Sequence, residues 1–249
     1  MIFDVDGTLV DSERHGHRVA FNRAFEEFDL DYRWDEEEYG RLLRITGGQN
    51  RLHRYLADQG MSEDERSELV PALHGRKTEL LTEMVQAGEI EVRPGARRLL
   101  DELAERGSRL AVATTGSRGW VEGLLEQLLP AVDFEVVVTG DDVETRKPDP
   151  EAFNLALERL GVGASGSVVV EDSAEGVDAS VAAGLACVVV VNGYTEDHDL
   201  SQAELVLDGF GEPDAPARVL ADRVDSGCEG VLDAAVLGRV LERGRARTG

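Results

Sequence analysis

The sequence predicts an α/β protein: a Rossmann-like, three-layer core built on a parallel sheet, interrupted near its start by an all-helical cap domain. Three observations lead there. From Arg97 onward, short Val-rich runs alternate with helix-patterned stretches. That order implies parallel strands with helices on both faces. Between Ser12 and Glu91 only helical periodicity is found. The opening run Met1–Val5 is apolar and short, and its strand partners must come from the later sheet.

Taken in order, Ile2–Asp11 reads IFDVDGTLVD, a strand run into Gly7. Ser12 to about Arg33 carries a helical face, Trp34–Leu43 continues it, and the paired glycines of Arg44–Arg51 break it. Leu52–Leu56 and Glu63–Leu81 are expected as further helices. Arg97–Arg106 is a helix stopped by Gly107, RLAVAT (Arg109–Thr114) a buried strand, Arg118–Leu129 a helix and Phe134–Gly140 a strand. Asp149 and Pro150 open a helix ended by Gly161. Ser167–Asp172 is a strand, Ala174–Ala183 a helix and Ala186–Val191 a strand, with Glu204–Asp208 as an edge strand. The domains expected are a core of residues 1–11 and 93–212, a cap of 12–92, and a tail of 213–249 with one helix near Val231–Leu241 and a frayed Arg243–Gly249.

Composition narrows the function classes. Fifty acidic residues face 26 basic ones, a net charge of −24, which argues against nucleic acid as a partner. Only Lys77 and Lys147 are lysines. An acidic, lysine-poor surface fits a folded, halophilic protein, because at about 1 M salt the screening length falls to about 3 Å. No apolar run is long enough for a membrane helix, aspartates interrupt the N-terminus where a secretory signal would lie, and Cys187 and Cys228 are expected as free thiols. A soluble cytoplasmic protein, monomeric and without nucleic-acid or membrane partners, is the expectation.

In parallel sheets, ligands bind beyond the carboxyl ends of the strands. Asp4 and Asp6 fall at one such end, Thr114, Thr115, Gly116 and Ser117 at another, Glu171 and Asp172 at a third, and Lys147 precedes a helix between them. Converging carboxylates call for a cation, and Mg2+ is the natural hard one; a small-residue turn can cradle an oxyanion. Each group alone is ordinary capping or loop chemistry. Their placement at neighbouring strand ends is what singles them out.

DVDGT, LAVATT, the Lys147-Pro148 pair and EDSAEG resemble, in order and spacing, the four motifs of the haloacid dehalogenase superfamily. WDEEEY, TGG, RKTE and GEIEVRPG resemble its CbbY-like branch, which contains xylulose-1,5-bisphosphate phosphatases and neighbours β-phosphoglucomutase. Family members carry a few residues before the first strand, so the resemblance places the natural start upstream of Met1. It implies Asp4 as nucleophile giving an aspartyl-phosphate, Asp6 as general acid and base, and Thr114 and Lys147 on the phosphoryl oxygens. It implies Mg2+ held by Asp4, Asp172 and the Asp6 carbonyl, with Glu171 as ligand or neighbour. Thr8 suits a hydrolase. For substrate it implies Glu13, Thr46, Gly47, Gly48, Arg51 and Lys77 from the cap, with Thr115, Gly116 and Ser117 from the core. The family's cap histidine corresponds to His15 or His17.

Other patterns carry less. Gly161, Gly163 and Gly166 spell GxGxxG but follow a helix and precede a strand, the reverse of the dinucleotide context. His15 and His17 lack the further ligands of a zinc site. Arginines in 239–247 fit a helix end, and Trp34 and Trp120 fit packing or cap contacts. The expected function is a Mg2+-dependent phosphatase acting on a small phosphorylated sugar, with a sugar bisphosphate as the favoured class. The alternatives are a β-phosphoglucomutase-like phosphotransferase and a non-catalytic sugar-phosphate-binding protein.

Overall fold

The computed structural model describes residues 1–45 and 47–248. It divides into two compact units, Met1–Asp11 with Val92–Gly249, and Ser12–Glu91.

Among the described residues of the first unit, seven strands form one sheet in the order β3-β2-β1-β4-β5-β6-β7. They are β1 (Ile2–Phe3), β2 (Leu110–Ala113), β3 (Phe134–Val138), β4 (Val168–Glu171), β5 (Ala186–Val190), β6 (Leu205–Leu207) and β7 (Val219–Asp222). All neighbours run parallel except β6 and β7. Ile2 pairs with both Ala111 and Val169, so β1 lies inside the sheet although all of its partners are more than a hundred residues away.

Side chains alternate across the pleat. Ile2, Ala111, Val169, Cys187 and Val189 share a core with Phe153 and Leu157 of one helix (Glu151–Leu160) and Val177 of another (Ala174–Ala182). Their chain neighbours Phe3, Val112, Val170, Val188 and Val190 are also fully buried. Both faces are therefore covered, which explains why these strands are written as continuous apolar runs. Among the described residues, the remaining α-helices of this unit are Ala96–Glu105, Arg118–Leu128 and Ala234–Thr248, with a 3-10 turn at Ala164–Gly166.

The second unit is helical: a π-helical turn (Glu13–His17), then Arg18–Glu27, Glu36–Leu43, Gly48–Asp58 and Glu63–Gln86. Its centre is aromatic. Phe21, Phe25, Trp34, Tyr39 and Tyr55 lie within ring-contact distance of one another, and Trp34 is fully buried.

Several expectations need correction. The first helix ends at Glu27 rather than near Arg33, because Asp29 adopts a left-handed φ of 54°. Leu30 N then donates to Phe25 O at 2.9 Å, closing the helix end. The last helix of this unit runs five residues past Leu81, to Gln86, and passes through Pro71. β1 is only two residues long: Asp4 N still donates to Val170 O at 3.0 Å, but Thr8 N and Val10 N then turn back onto Val5 O. Asp4 and Asp6 are thus placed by a loop and not by strand alternation.

β6 is not an edge. It is covered by β7, which periodicity did not reveal because Val219 and Leu220 are exposed and give no buried-strand signature. The terminal helix begins at Ala234 and continues through Thr248 instead of fraying after Leu241. Cys187 and Cys228 are free thiols. Among the described residues, no helix is long and apolar enough to cross a membrane.

Candidate active site

β1, β2 and β4 end side by side, and the residues that follow them form one buried polar cluster. Lys147, from the loop ahead of helix Glu151–Leu160, reaches into it. Its Nζ donates to Asp4 Oδ1 at 2.8 Å, to Glu171 Oε1 at 2.5 Å and to Ala113 O at 2.8 Å. The ammonium also lies 4.9 Å from the Phe153 ring centroid. Asp4, Lys147, Glu171 and Asp172 are all buried, so the charges interact with little water between them.

Asp4, Glu171 and Asp172 each present a carboxylate oxygen within 4.8 Å of the others. One ammonium touches two of the three, leaving the cluster short of positive charge. Burial pushes Asp4 up to about 7, and Glu171 and Asp6 add repulsion against the opposing pull of Lys147. Burial likewise pushes Asp172 well above the ordinary carboxylate range, reinforced by Glu171 and Asp4. Lys147 is held charged: burial opposes this, but Asp4 and Glu171 outweigh it. Three buried, hard oxygen donors within 4.8 Å of one another form a set that fits a hard divalent cation such as Mg2+.

Asp172 is oriented by neutral donors, Thr8 Oγ1 at 3.3 Å on Oδ1 and Asn192 Nδ2 at 2.7 Å on Oδ2. Glu171 Oε2 accepts from Asp172 N at 3.0 Å and Ser173 Oγ at 3.2 Å. A Cβ at Gly176 would collide with the Glu171 carboxyl group, so the glycine of EDSAEG lets the following helix approach this side chain closely.

Asp6 stands apart from the three-carboxylate group. Its carboxylate accepts from Trp120 Nε1, at 3.2 Å to Oδ1 and 3.4 Å to Oδ2. That contact occupies the Asp6 side chain, while the resemblance gives the metal role to the Asp6 carbonyl. Thr114 is buried, and its Oγ1 accepts from Gly116 N at 3.2 Å. Thr115 and Gly116 are half-buried, and exposed Ser117 opens helix Arg118–Leu128. Gly116 lies beside Asp6, since a Cβ there would sit 3.2 Å from Asp6 Oδ2.

The cap candidates lie in the helical unit. Tyr39 Oη donates to Glu13 Oε2 at 2.6 Å and accepts from Arg51 Nη1 at 3.2 Å, while Arg51 Nε donates to Leu42 O at 3.0 Å. Lys77 Nζ lies 2.5 Å from His17 Nδ1 and 5.0 Å from the Phe21 ring centroid. Both Arg51 and Lys77 are buried, an environment that solvated surface charges do not occupy. His17 meets Lys77, whereas His15 is exposed. Gly47 and Gly48 open helix Gly48–Asp58; Thr46 lies outside the described residues.

Periodicity and motif spacing missed Asn192, the Trp120 contact to Asp6, and the role of Tyr39 in linking Glu13 to Arg51. Asn192 had a signal, since it directly follows the ACVVVV run at a strand's carboxyl end. Trp120 had none, because helical periodicity assigns it to packing.

A family model, haloacid dehalogenase-like hydrolase, matches residues 1–190. A CBBY-like protein of Arabidopsis thaliana is 41% identical over 221 residues, covering 86% of this chain and 69% of that protein. Protein CbbY of Cereibacter sphaeroides is 40% identical over 215 residues, covering 85% of this chain and 92% of the relative. Among solved structures, a mutant CbbY from Rhodobacter sphaeroides in complex with xylulose-1,5-bisphosphate superposes with a TM-score of 0.76 at 38% identity, covering 84% of this chain and 92% of that one. With the motif residues gathered at one sheet edge and the family model spanning most of the chain, this protein belongs to the haloacid dehalogenase-like hydrolases.

Proposed function

We propose that this hydrolase is a Mg2+-dependent phosphatase that removes a phosphoryl group from a small phosphorylated sugar, with a sugar bisphosphate as the favoured substrate. The observation that carries the reading is the contact of Lys147 with both Asp4 and Glu171 inside a buried cluster that also holds Asp172. The xylulose-1,5-bisphosphate bound by the CbbY relative supports the substrate class.

In this reading the Asp4 carboxylate attacks phosphorus, the bond to the sugar oxygen breaks, and an aspartyl-phosphate forms. Asp6 gives its proton to the departing alkoxide and then takes one from the water that releases inorganic phosphate. Trp120 holds Asp6 by its indole N–H. Lys147, Thr114 and the amides of Thr115, Gly116 and Ser117 bind phosphoryl oxygens whose charge is shared in the transition state. Asp4, Glu171 and Asp172 would hold Mg2+, with the Asp6 carbonyl. The bound cation neutralises charge among these carboxylates and polarises the phosphoryl group.

Lys77 and Arg51, buried beside polar neighbours in the helical unit, supply positive charge suited to a second phosphate, with Glu13, Thr46, Gly47 and Gly48 completing the substrate set. The test is phosphate release from a panel of sugar mono- and bisphosphates with Mg2+ in molar KCl, run beside Asp4→Asn. Magnesium-dependent release that favours a bisphosphate and vanishes in Asp4→Asn is expected. Isomerisation of glucose 1-phosphate without net release would favour a mutase. Binding of sugar phosphates without turnover of any would overturn the enzyme reading.

A further inference from the structure

Asp172 is anchored by a side chain that the motif resemblance leaves out. Asn192 follows β5, and its Oδ1 accepts from Tyr194 N at 2.9 Å. That bond fixes which end of the amide faces which way: Nδ2 points at Asp172 Oδ2, 2.7 Å away, and at Gly7 O, 3.4 Å away. The loop carrying Asn192 is itself closed, since Asn192 N donates to Thr195 Oγ1 and Thr195 N to Asn192 O, both at 3.0 Å.

Arg93 ties the same elements together. Its Nη1 donates to Gly7 O at 2.6 Å and Val190 O at 2.8 Å, and its Nη2 donates to Val191 O at 2.7 Å. One guanidinium thus joins the turn after Asp6 to the end of the strand from which Asn192 emerges. Gly7 completes the arrangement. It has a φ of +86°, and a Cβ there would come within 2.5 Å of Asp172 Oδ2 and 2.8 Å of Asn192 Nδ2.

We propose that Asn192, locked by Arg93 and Gly7, is a positioning residue that sets the Asp172 carboxylate for the divalent cation. The proposal rests on the reading that Asp4, Glu171 and Asp172 hold Mg2+. A neutral amide is the suitable donor for Asp172: it orients this carboxylate without adding a second positive charge beside the one that Lys147 already brings to Asp4 and Glu171. With Thr8 on Oδ1 and Asn192 on Oδ2, each oxygen keeps acceptor capacity for a metal. Groups that orient a ligand in this way typically change metal affinity by about 10- to 100-fold.

The test is calorimetric titration of wild type, Asp172→Asn, Asn192→Leu and Asn192→Ala with MgCl2, plus their denaturant unfolding in EDTA. Wild type should bind Mg2+, Asp172→Asn should lose binding, and both Asn192 variants should bind about 10-fold or more weakly. In EDTA the unfolding effects of Asn192→Leu and Asp172→Asn should be non-additive in the double variant. If wild type fails to bind Mg2+, the cation reading falls. If wild type binds and Asp172→Asn does not, yet the Asn192 variants bind as wild type does, the cation reading survives and the positioning role is overturned. Additive unfolding effects overturn it as well.

Discussion

Lys147 Nζ lies 2.8 Å from Asp4 Oδ1, across 143 positions of sequence. Removing one member of a buried ion pair leaves its partners uncompensated, at a typical cost of about 3–5 kcal/mol. Lys147→Met should therefore lower the unfolding midpoint in denaturant. It should also cut kcat by about 100-fold or more, the usual consequence of losing a donor to transition-state charge. Steady-state assays at saturating Mg2+ separate the two effects, and unchanged kcat would count against the role given to Lys147.

Magnesium should stabilise the protein more as pH rises. The folded pKa of Asp4 is about 7, above its ordinary value. Without a cation, its contribution to stability is fully present below the unfolded pKa and is lost as pH rises through about 7. Cation binding needs the deprotonated group, so the Mg2+-induced rise in Tm should be larger at pH 8 than at pH 5. Thermal melts with MgCl2 or EDTA at both values check this; equal shifts would contradict it.

Trp120→Phe keeps most of the buried ring and deletes the N–H that Asp6 accepts. A hydrogen bond typically contributes about 0.5–1.5 kcal/mol, so kcat should fall by up to about 10-fold. KM should change little, because Asp6 acts on the leaving and entering oxygens and not on the rest of the substrate. A variant that raises KM at constant kcat would place Trp120 in substrate binding instead.

The net charge of −24 predicts a salt requirement. Ion pairs such as Arg76 with Glu27, Glu79 and Glu83 use part of the basic complement, but exposed pairs contribute little and the acidic excess remains. Between about 0.1 M and about 1 M KCl, the screening length falls from about 10 Å to about 3 Å. Tm should climb by several degrees over that range. A melt independent of KCl would remove the halophilic reading.

The strands of the sheet's interior were legible because each is buried on both faces and is written as an uninterrupted apolar run, as in Val168–Val170 and Cys187–Val191. The motif residues were legible because ligands gather beyond the carboxyl ends of such strands. β7 was not, since its apolar run of only three residues, Val219 to Ala221, sits between Arg218 and Asp222 and leaves Val219 and Leu220 exposed. The end of the first cap helix at Glu27 was hidden for a different reason: Asp29 takes a left-handed conformation that residue type alone does not dictate.

By itself, the sequence determined the alternating architecture and which side chains could meet at its rim, since periodicity and strand-end position are local properties of the chain. Only tertiary structure decided their partners. Trp120 on Asp6, Asn192 on Asp172 and Tyr39 between Glu13 and Arg51 are contacts between residues 12 to 114 positions apart. Such hydrogen bonds depend on distances of a few tenths of an ångström and on side-chain direction, quantities that exist only once the backbone has been packed.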